Sequence, residues 1–503
     1  MNTPLRRVSI AMMIMVVLLM VNDMYVQVIK ADSYANNPLN QRTILTEYSQ
    51  QRGTITAADG TPLAKSVATT DTYKYLRQYP AGPMYAPVTG FFSQLYGAAG
   101  MERIENSILN GTDDRLFVRR LSDLITGRDP SGGNVQLTIN PKVQAAAYNG
   151  MVSAGYTGAA VAIQPSTGQI LAMVSNPSYD PNGLASHDST TQANTWKAAN
   201  PTSNTSSPLI DQAIAAAYQP GSTFKLIVAT AALSNNVDSE NNSDLPNSPA
   251  ITLPGTQTQL RNFGGETCPG GSGNGMVSMK DAIAHSCNTA FATLAGKVGA
   301  PALVKQAQAF GFGSGYSLPL TAATSCLGPA SGGNCMNILN GTPGLYQTGI
   351  GQLNVQETPL QNALVAATIA NGGVEMQPQL VKGILAPDFS TIQGFTPQVM
   401  NNSVMSQQTA SELTDMMEAS EQNSGTANKL PNITIASKTG TAEHGNDPKN
   451  TQPYGWYVAF VPGKDVAVAV VVTSGGSFDL ATIGAKVAAP IARLMINAAV
   501  GGS

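Results

Sequence analysis

The chain has 503 residues, enough for two or more packed domains, and 42% of them are hydrophobic, enough to fill the cores. Only 11% are charged and the net charge is -3, which excludes a polyanion-binding surface of the nucleic-acid type. His187, His285 and His444 lie far apart with no Cys or His at ligand spacing, and no phosphate-binding loop or dinucleotide fingerprint occurs. Neither a metal nor a cofactor is therefore expected.

Taken in order, residues 1–7 form a short polar tail ending in Arg6 and Arg7. Residues 8–29 are mostly apolar and match the roughly 20 residues that span a bilayer. A cleaved signal peptide is the alternative, but no small-x-small cleavage site follows Val21, which favours an uncleaved anchor. The arginines place the N-terminus in the cytoplasm and everything after residue 30 outside. Residues 30–151 read as a small α+β module. Arg52-Gly53-Thr54-Ile55 and Ala58–Ala64 form strand, turn and strand; a helix opens at Gly100 and ends at Asn110-Gly111. Gln136–Ile139 is a short strand, and Pro141 starts a helix through Met151.

The larger module covers 152–503. Strands Ala159–Ile163 and Ile170–Val174 flank the turn Pro165-Ser166-Thr167-Gly168. The stretch from Asn176 to Ser207 is polar and reads as loop, and the stretch from Pro246 to Gly275, rich in Gly, Pro, Ser and Asn, as a surface excursion. Between them, Pro220-Gly221 precedes an apolar helix from Phe224 to Leu233, so Ser222 stands at or near a helix N-terminus with Lys225 one turn on. Ser278-x-x-Asp281 reads as a capping box, ahead of a helix interrupted at Ser286-Cys287-Asn288. Ile433–Ala442, Gly455–Val461 and Val466–Thr473 read as strands, and Asp479 as the cap of a final helix through Val500. Strands at both ends around a helical middle imply an antiparallel sheet between helical layers. The four cysteines, Cys268, Cys287, Cys326 and Cys335, are even in number and lie outside the cytoplasm. Proximity favours Cys268–Cys287 and Cys326–Cys335 without fixing the pairing.

A serine hydroxyl is a poor nucleophile until a base takes its proton, and a lysine whose ammonium is destabilised by burial can be that base. Ser222-x-x-Lys225, Ser286-x-Asn288 and Lys438-Thr439-Gly440 each occur by chance in many proteins, but here they occur together and in that order. The ordered triple resembles the class B penicillin-binding proteins, serine DD-transpeptidases of peptidoglycan. Arg52-Gly53-Thr54-Ile55 is similar to the family's pedestal motif. Gln352, Thr358-Pro359-Leu360-Gln361, Ala370-Asn371-Gly372-Gly373 and Trp456–Pro462 extend the likeness over most of the chain. The compact pedestal, the Ser286-Cys287-Asn288 wording and the lack of an extension after residue 503 look most like the penicillin-binding protein A group of actinobacteria.

The resemblance implies a transpeptidase fold of the serine β-lactamase type, with a five-stranded antiparallel sheet between helical layers, an α+β pedestal and one membrane helix. It implies no glycosyltransferase domain. Chemistry and resemblance assign the same roles. Ser222 attacks the penultimate D-Ala carbonyl of a stem peptide, Lys225 takes the proton, Ser286 relays it and Asn288 holds the substrate amide. Lys438 faces the carboxylate, with the Thr439-Gly440-Thr441 strand binding substrate, and the backbone N–H groups of Ser222 and Thr441 form the oxyanion hole. β-Lactams would acylate Ser222. A DD-carboxypeptidase, a β-lactamase using Glu357 to activate water, and a non-catalytic division scaffold are the competing readings. Expected partners are stem peptides, β-lactams, the membrane and, on the pedestal, a polytopic glycosyltransferase or division proteins.

Overall fold

The computed structural model describes residues 3–30, 47–127, 131–201, 207–271, 273–329, 335–338, 342–445, 447, 450–476 and 484–501. The expected cap at Asp479 and the Gly/Ser-rich stretch at 330–334 lie outside these residues.

The larger module is built on a sheet that, among the described residues, has five antiparallel strands. Their spatial order is Ala436–Ala442, Tyr454–Phe460, Ala467–Gly475, Tyr156–Ile163, Ile170–Asn176. The strands alternate in what they bury, as a two-faced sheet requires. Tyr457, Ala459, Val468, Val470, Ala160 and Ala162 pack with helices Pro141–Ser153 and Gly484–Val500. Trp456, Val458, Ala469, Val471, Ala159 and Val161 face the other way, onto the helical middle of the chain. That middle includes Lys225–Ser234 and Pro359–Ala370, both apolar nearly all round and buried along most of their length. The expected turn at Pro165–Gly168, the capping box at Ser278 and the break at Ser286 are all present; Ser278 Oγ accepts from Asp281 N at 3.1 Å.

Two readings are corrected. Residues 176–207, expected as loop, carry helices Pro181–Ala185 and Ser189–Ala199. Asp180 and Asp188 accept hydrogen bonds from first-turn N–H groups, so side-chain caps supply what apolar periodicity does not. The strand expected over Ile433–Ala442 begins at Ala436 and not at Ile433. The pedestal sheet also draws on distant chain: Val381–Leu385 and Thr391–Gly394 extend the order Asn134–Leu137, Ile55–Thr56, Pro62–Ala68, Tyr75–Gln78. Within the pedestal, Arg52 Nε and Arg77 Nε each donate to the buried Glu102 carboxylate at 2.6 Å. Arg52 of the pedestal motif is thus a packing cation.

The helical core also buries acids. Glu375 is 1% exposed, and neither carboxylate oxygen has a hydrogen-bond partner among the described residues. Burial pushes its carboxyl up to about 8. A carboxyl raised in the folded state favours folding below its unfolded value, near 4.5, and that contribution is lost as pH rises to about 8. Glu375→Gln is expected to remove about 2–4 kcal/mol of this dependence. The drop in Tm between pH 5 and pH 8 should therefore shrink in the variant, and an unchanged drop would show that Glu375 does not titrate in this window.

Candidate active site

Pro220 and Gly221 lead into a single tight turn, Gly221–Phe224, that runs directly into the helix Lys225–Ser234. Gly221 has φ +55°, and a Cβ there would come within 2.5 Å of Thr441 O. On its other side, Gly221 N donates to Gly351 O at 3.0 Å. The serine turn is thereby clamped between the 351 loop and the strand Ala436–Ala442. Gly440 completes the fit: a Cβ there would meet Pro220 O at 2.7 Å and Thr223 Cγ2 at 3.1 Å. Any larger residue at Gly440 would push the serine turn off the strand. Trp456 Nε1 donates to Gln219 O at 2.8 Å, fixing the approach to the turn from below.

Ser222 lines a cleft of about 430 Å³ together with Ser286, Asn288, Thr439 and Thr441. Lys225 and Lys438 reach it from beneath, and both are fully buried. Lys225 Nζ donates to Ser286 O at 2.7 Å and to Asn288 Oδ1 at 2.9 Å, with Ser286 Oγ at 3.4 Å. Lys438 Nζ donates to the same Ser286 Oγ at 2.8 Å and to Thr439 O at 2.9 Å. Ser286 Oγ therefore stands between two amines. Burial, and then the charge of Lys438, hold Lys225 well below the usual lysine range, while burial brings Lys438 down to about 7.

The middle motif is held by its neighbours. Ser286 has φ +58°, a left-handed turn residue between helices Met279–Ala284 and Asn288–Val298. Cys287, the residue before the second helix, is disulfide-bonded to Cys268 with Cα atoms 5.7 Å apart. Cys326 and Cys335 form the second disulfide, with Cα atoms 5.1 Å apart. The first bond ties the turn to the 246–275 excursion, which also accepts from Asn288 Nδ2 through Arg261 O at 3.1 Å. That excursion supplies one wall of the cleft through Asn262, Glu266 and Thr267, and Ser420 and Asn423 supply another. No motif marks these walls in the sequence, because they are formed by segments that meet only in the folded chain. Thr439 and Thr441 lie on the edge strand of the sheet, where alternate backbone groups are free of sheet pairing. Ser222, Lys225, Ser286, Asn288, Lys438, Thr439, Gly440 and Thr441 all converge on this one place. Cys326 and Cys335 do not line it.

Comparison with known proteins gives the arrangement a family. Residues 158–497 match the penicillin binding protein transpeptidase domain, and residues 52–135 the penicillin binding protein A dimerisation domain. The chain is 48% identical to the peptidoglycan D,D-transpeptidase PbpA of Mycolicibacterium smegmatis over 99% of both chains. It is 46% identical to the protein of the same name from Mycobacterium tuberculosis over 100% of both. Its fold is similar to the ceftriaxone acyl-enzyme of M. tuberculosis penicillin-binding protein A, with a TM-score of 0.84 over 91% of this chain and 100% of that one. The chain belongs to the penicillin-binding protein transpeptidase family.

Proposed function

We propose that the chain is a membrane-anchored serine DD-transpeptidase that crosslinks peptidoglycan stem peptides in septal or cell-wall growth and is acylated by β-lactams. One observation carries the reading. A neutral amine has two N–H groups and one lone pair. The two shortest contacts of Lys225 Nζ, Ser286 O at 2.7 Å and Asn288 Oδ1 at 2.9 Å, take both N–H groups, and with Ser286 Oγ farther off at 3.4 Å the lone pair is available for the Ser222 hydroxyl proton. Burial, and then the charge of Lys438, lower Lys225 and so favour the neutral form that this requires.

Ser222 Oγ then bonds to the penultimate D-Ala carbonyl carbon, and the oxyanion rests on the backbone N–H groups of Ser222 and Thr441. The proton held on Lys225 passes through Ser286 Oγ to the departing D-Ala nitrogen as the peptide bond breaks. Asn288 holds the substrate amide, and Lys438 beside Thr439, Gly440 and Thr441 receives the terminal carboxylate. That carboxylate favours the charged form of Lys438 and raises it above its value of about 7. The amine of a second stem peptide attacks the ester, forms the crosslink and returns Ser222. The mycobacterial D,D-transpeptidases and the ceftriaxone acyl-enzyme support the same chemistry.

The helix Thr3–Met24 and its continuation Tyr25–Ile29 give 27 mostly apolar residues, about 40 Å of helix, with no buried side chain. With Arg6 and Arg7 at its start, it serves as a single-pass anchor with the N-terminus cytoplasmic and the catalytic module outside. The division at 30–151 for the pedestal and 152–503 for the transpeptidase module belongs to this reading, as do pedestal partners such as a polytopic glycosyltransferase or division proteins.

A β-lactamase reading needs Glu357 as a base for water. Glu357 is 1% exposed, does not line the cleft, and burial pushes its carboxyl well above the usual carboxylate range, which disfavours the charged form a base for water requires. That speaks for a long-lived acyl-enzyme. The test is intact mass of the full-length chain mixed with penicillin. A stable single adduct, absent in Ser222→Ala, is expected. An adduct that disappears within seconds while drug is consumed would mean a lactamase, and no adduct would mean a scaffold with a vestigial site.

A further inference from the structure

The pedestal carries one helix whose faces are reversed. In Phe117–Thr126, Phe117, Val118, Leu121 and Ile125 are 56%, 80%, 48% and 78% exposed. Their spacing places them on one stripe of the helix. The arginines of the same segment turn toward the protein. Arg119 Nη2 pairs with Asp388 at 2.8 Å, and Arg120 Nη1 donates to Thr112 O at 3.0 Å. Just before the helix, Arg115 Nη1 donates to Gln393 Oε1 at 2.5 Å, and Leu116 is buried. These contacts hold the apolar stripe outward. An ordinary surface helix in water does the opposite.

What covers the stripe follows from where it lies. Lys30, at the end of the anchor helix, and Glu47 are separated by 16 residues, which reach at most about 60 Å when fully extended. The described chain resumes at Glu47, Tyr48 is buried against Phe92, and Gln51 bridges in parallel to Ser131 and accepts from Gly132 N at 2.9 Å. Ser131 is five residues past the end of the reversed helix. The exposed stripe and the point where the tether arrives are therefore on adjoining chain. A helix with an apolar stripe and arginines on its other side is of the kind that lies in the plane of a bilayer interface.

We infer that helix Phe117–Thr126 docks on the lipid surface that holds the anchor, through Phe117, Val118, Leu121 and Ile125, and so fixes the pedestal close to the membrane. This rests on the anchor reading above. The lipid acyl boundary receives the apolar stripe, and the arginines stay bound to the pedestal.

The test uses the full chain in phosphatidylcholine–phosphatidylglycerol vesicles with Val118→Trp, read against the background of Trp196 and Trp456. The added tryptophan should be quenched by lipids brominated on their acyl chains and shielded from aqueous acrylamide. Adding Leu121→Asp and Ile125→Asp should abolish the bromolipid quenching. Quenching by acrylamide and not by bromolipid would overturn the inference. Shielding from both would also overturn it and point to a second copy on the stripe. A carbonate wash after the fluorescence measurement reads the anchor separately. A chain that stays in the membrane while bromolipid leaves the added tryptophan unquenched defeats only the helix inference, whereas a chain that washes off defeats the anchor reading.

Discussion

Replacing Lys225 with alanine is expected to slow acylation of Ser222 by penicillin about 10³-fold, the scale of a general base in transition-state proton transfer. Folding should change little, because losing the hydrogen bonds to Ser286 O and Asn288 Oδ1 is offset by losing a desolvated amine. Lys225→Arg sharpens the test. A guanidinium keeps the positive charge and the donors but does not give up a proton in this pH range, so it should be as slow as alanine. If Lys225 served only to brace Ser286 and Asn288, arginine would recover part of the rate. The unmodified chain should also show a rate that rises with pH as Lys225 loses its proton and falls as Lys438 loses its own. Burial depresses both amines, so both limbs lie below the ordinary lysine range. Lys225→Ala should lose the rising limb and keep the falling one. Normal acylation by Lys225→Ala, measured by intact mass over time, would remove Lys225 from the base role.

The parts of this site that the sequence makes legible are those fixed by local geometry. Lys225 follows Ser222 by one turn, Asn288 follows Ser286 across a helix break, and Gly440 marks where a strand touches another backbone. Each is a spacing, and a spacing survives in a linear string. The disulfide pairings are legible for a related reason, since Cys268 and Cys287 are near in sequence and also meet in space. What the sequence hides is set by distant partners. Strand Val381–Leu385 falls within residues 152–503, assigned from sequence to the larger module, yet it pairs with Asn134–Leu137 of the pedestal. Asp180 and Asp188 form helices inside a stretch too polar to show apolar periodicity. The outward stripe on Phe117–Thr126 would read as a buried face in any pattern analysis, because amphipathicity alone does not say which side faces the protein.

The second large effect concerns a residue that no motif marks. Arg493, in the closing helix Gly484–Val500, is fully buried and donates to Glu421 Oε1 through Nη2 at 2.7 Å and Nε at 3.1 Å. The other oxygen, Glu421 Oε2, accepts from Ser437 Oγ at 2.5 Å and Tyr457 OH at 2.6 Å. Arg493 Nη1 also donates to Ala427 O at 2.7 Å. One ion pair thus joins two helices to the two strands behind the cleft, and Ser437 is the residue before Lys438. Removing one member of a buried pair leaves the other charge without compensation, so Arg493→Met should cost about 3–5 kcal/mol in stability. Replacing both, Arg493→Met with Glu421→Gln, should cost less than the sum of the single changes, because the stranded carboxylate is gone. Thermal melts of the two single variants and the double variant measure this directly. The same loosening should reach Lys438 through Ser437. The double variant, measured well below its Tm, should therefore acylate more slowly than the unmodified chain, and Ser437→Ala should show part of that loss alone. A cost under about 1 kcal/mol for Arg493→Met would place the pair among the exposed salt bridges that contribute little, and the strand carrying Lys438 would then owe its position to sheet pairing with Tyr454–Phe460.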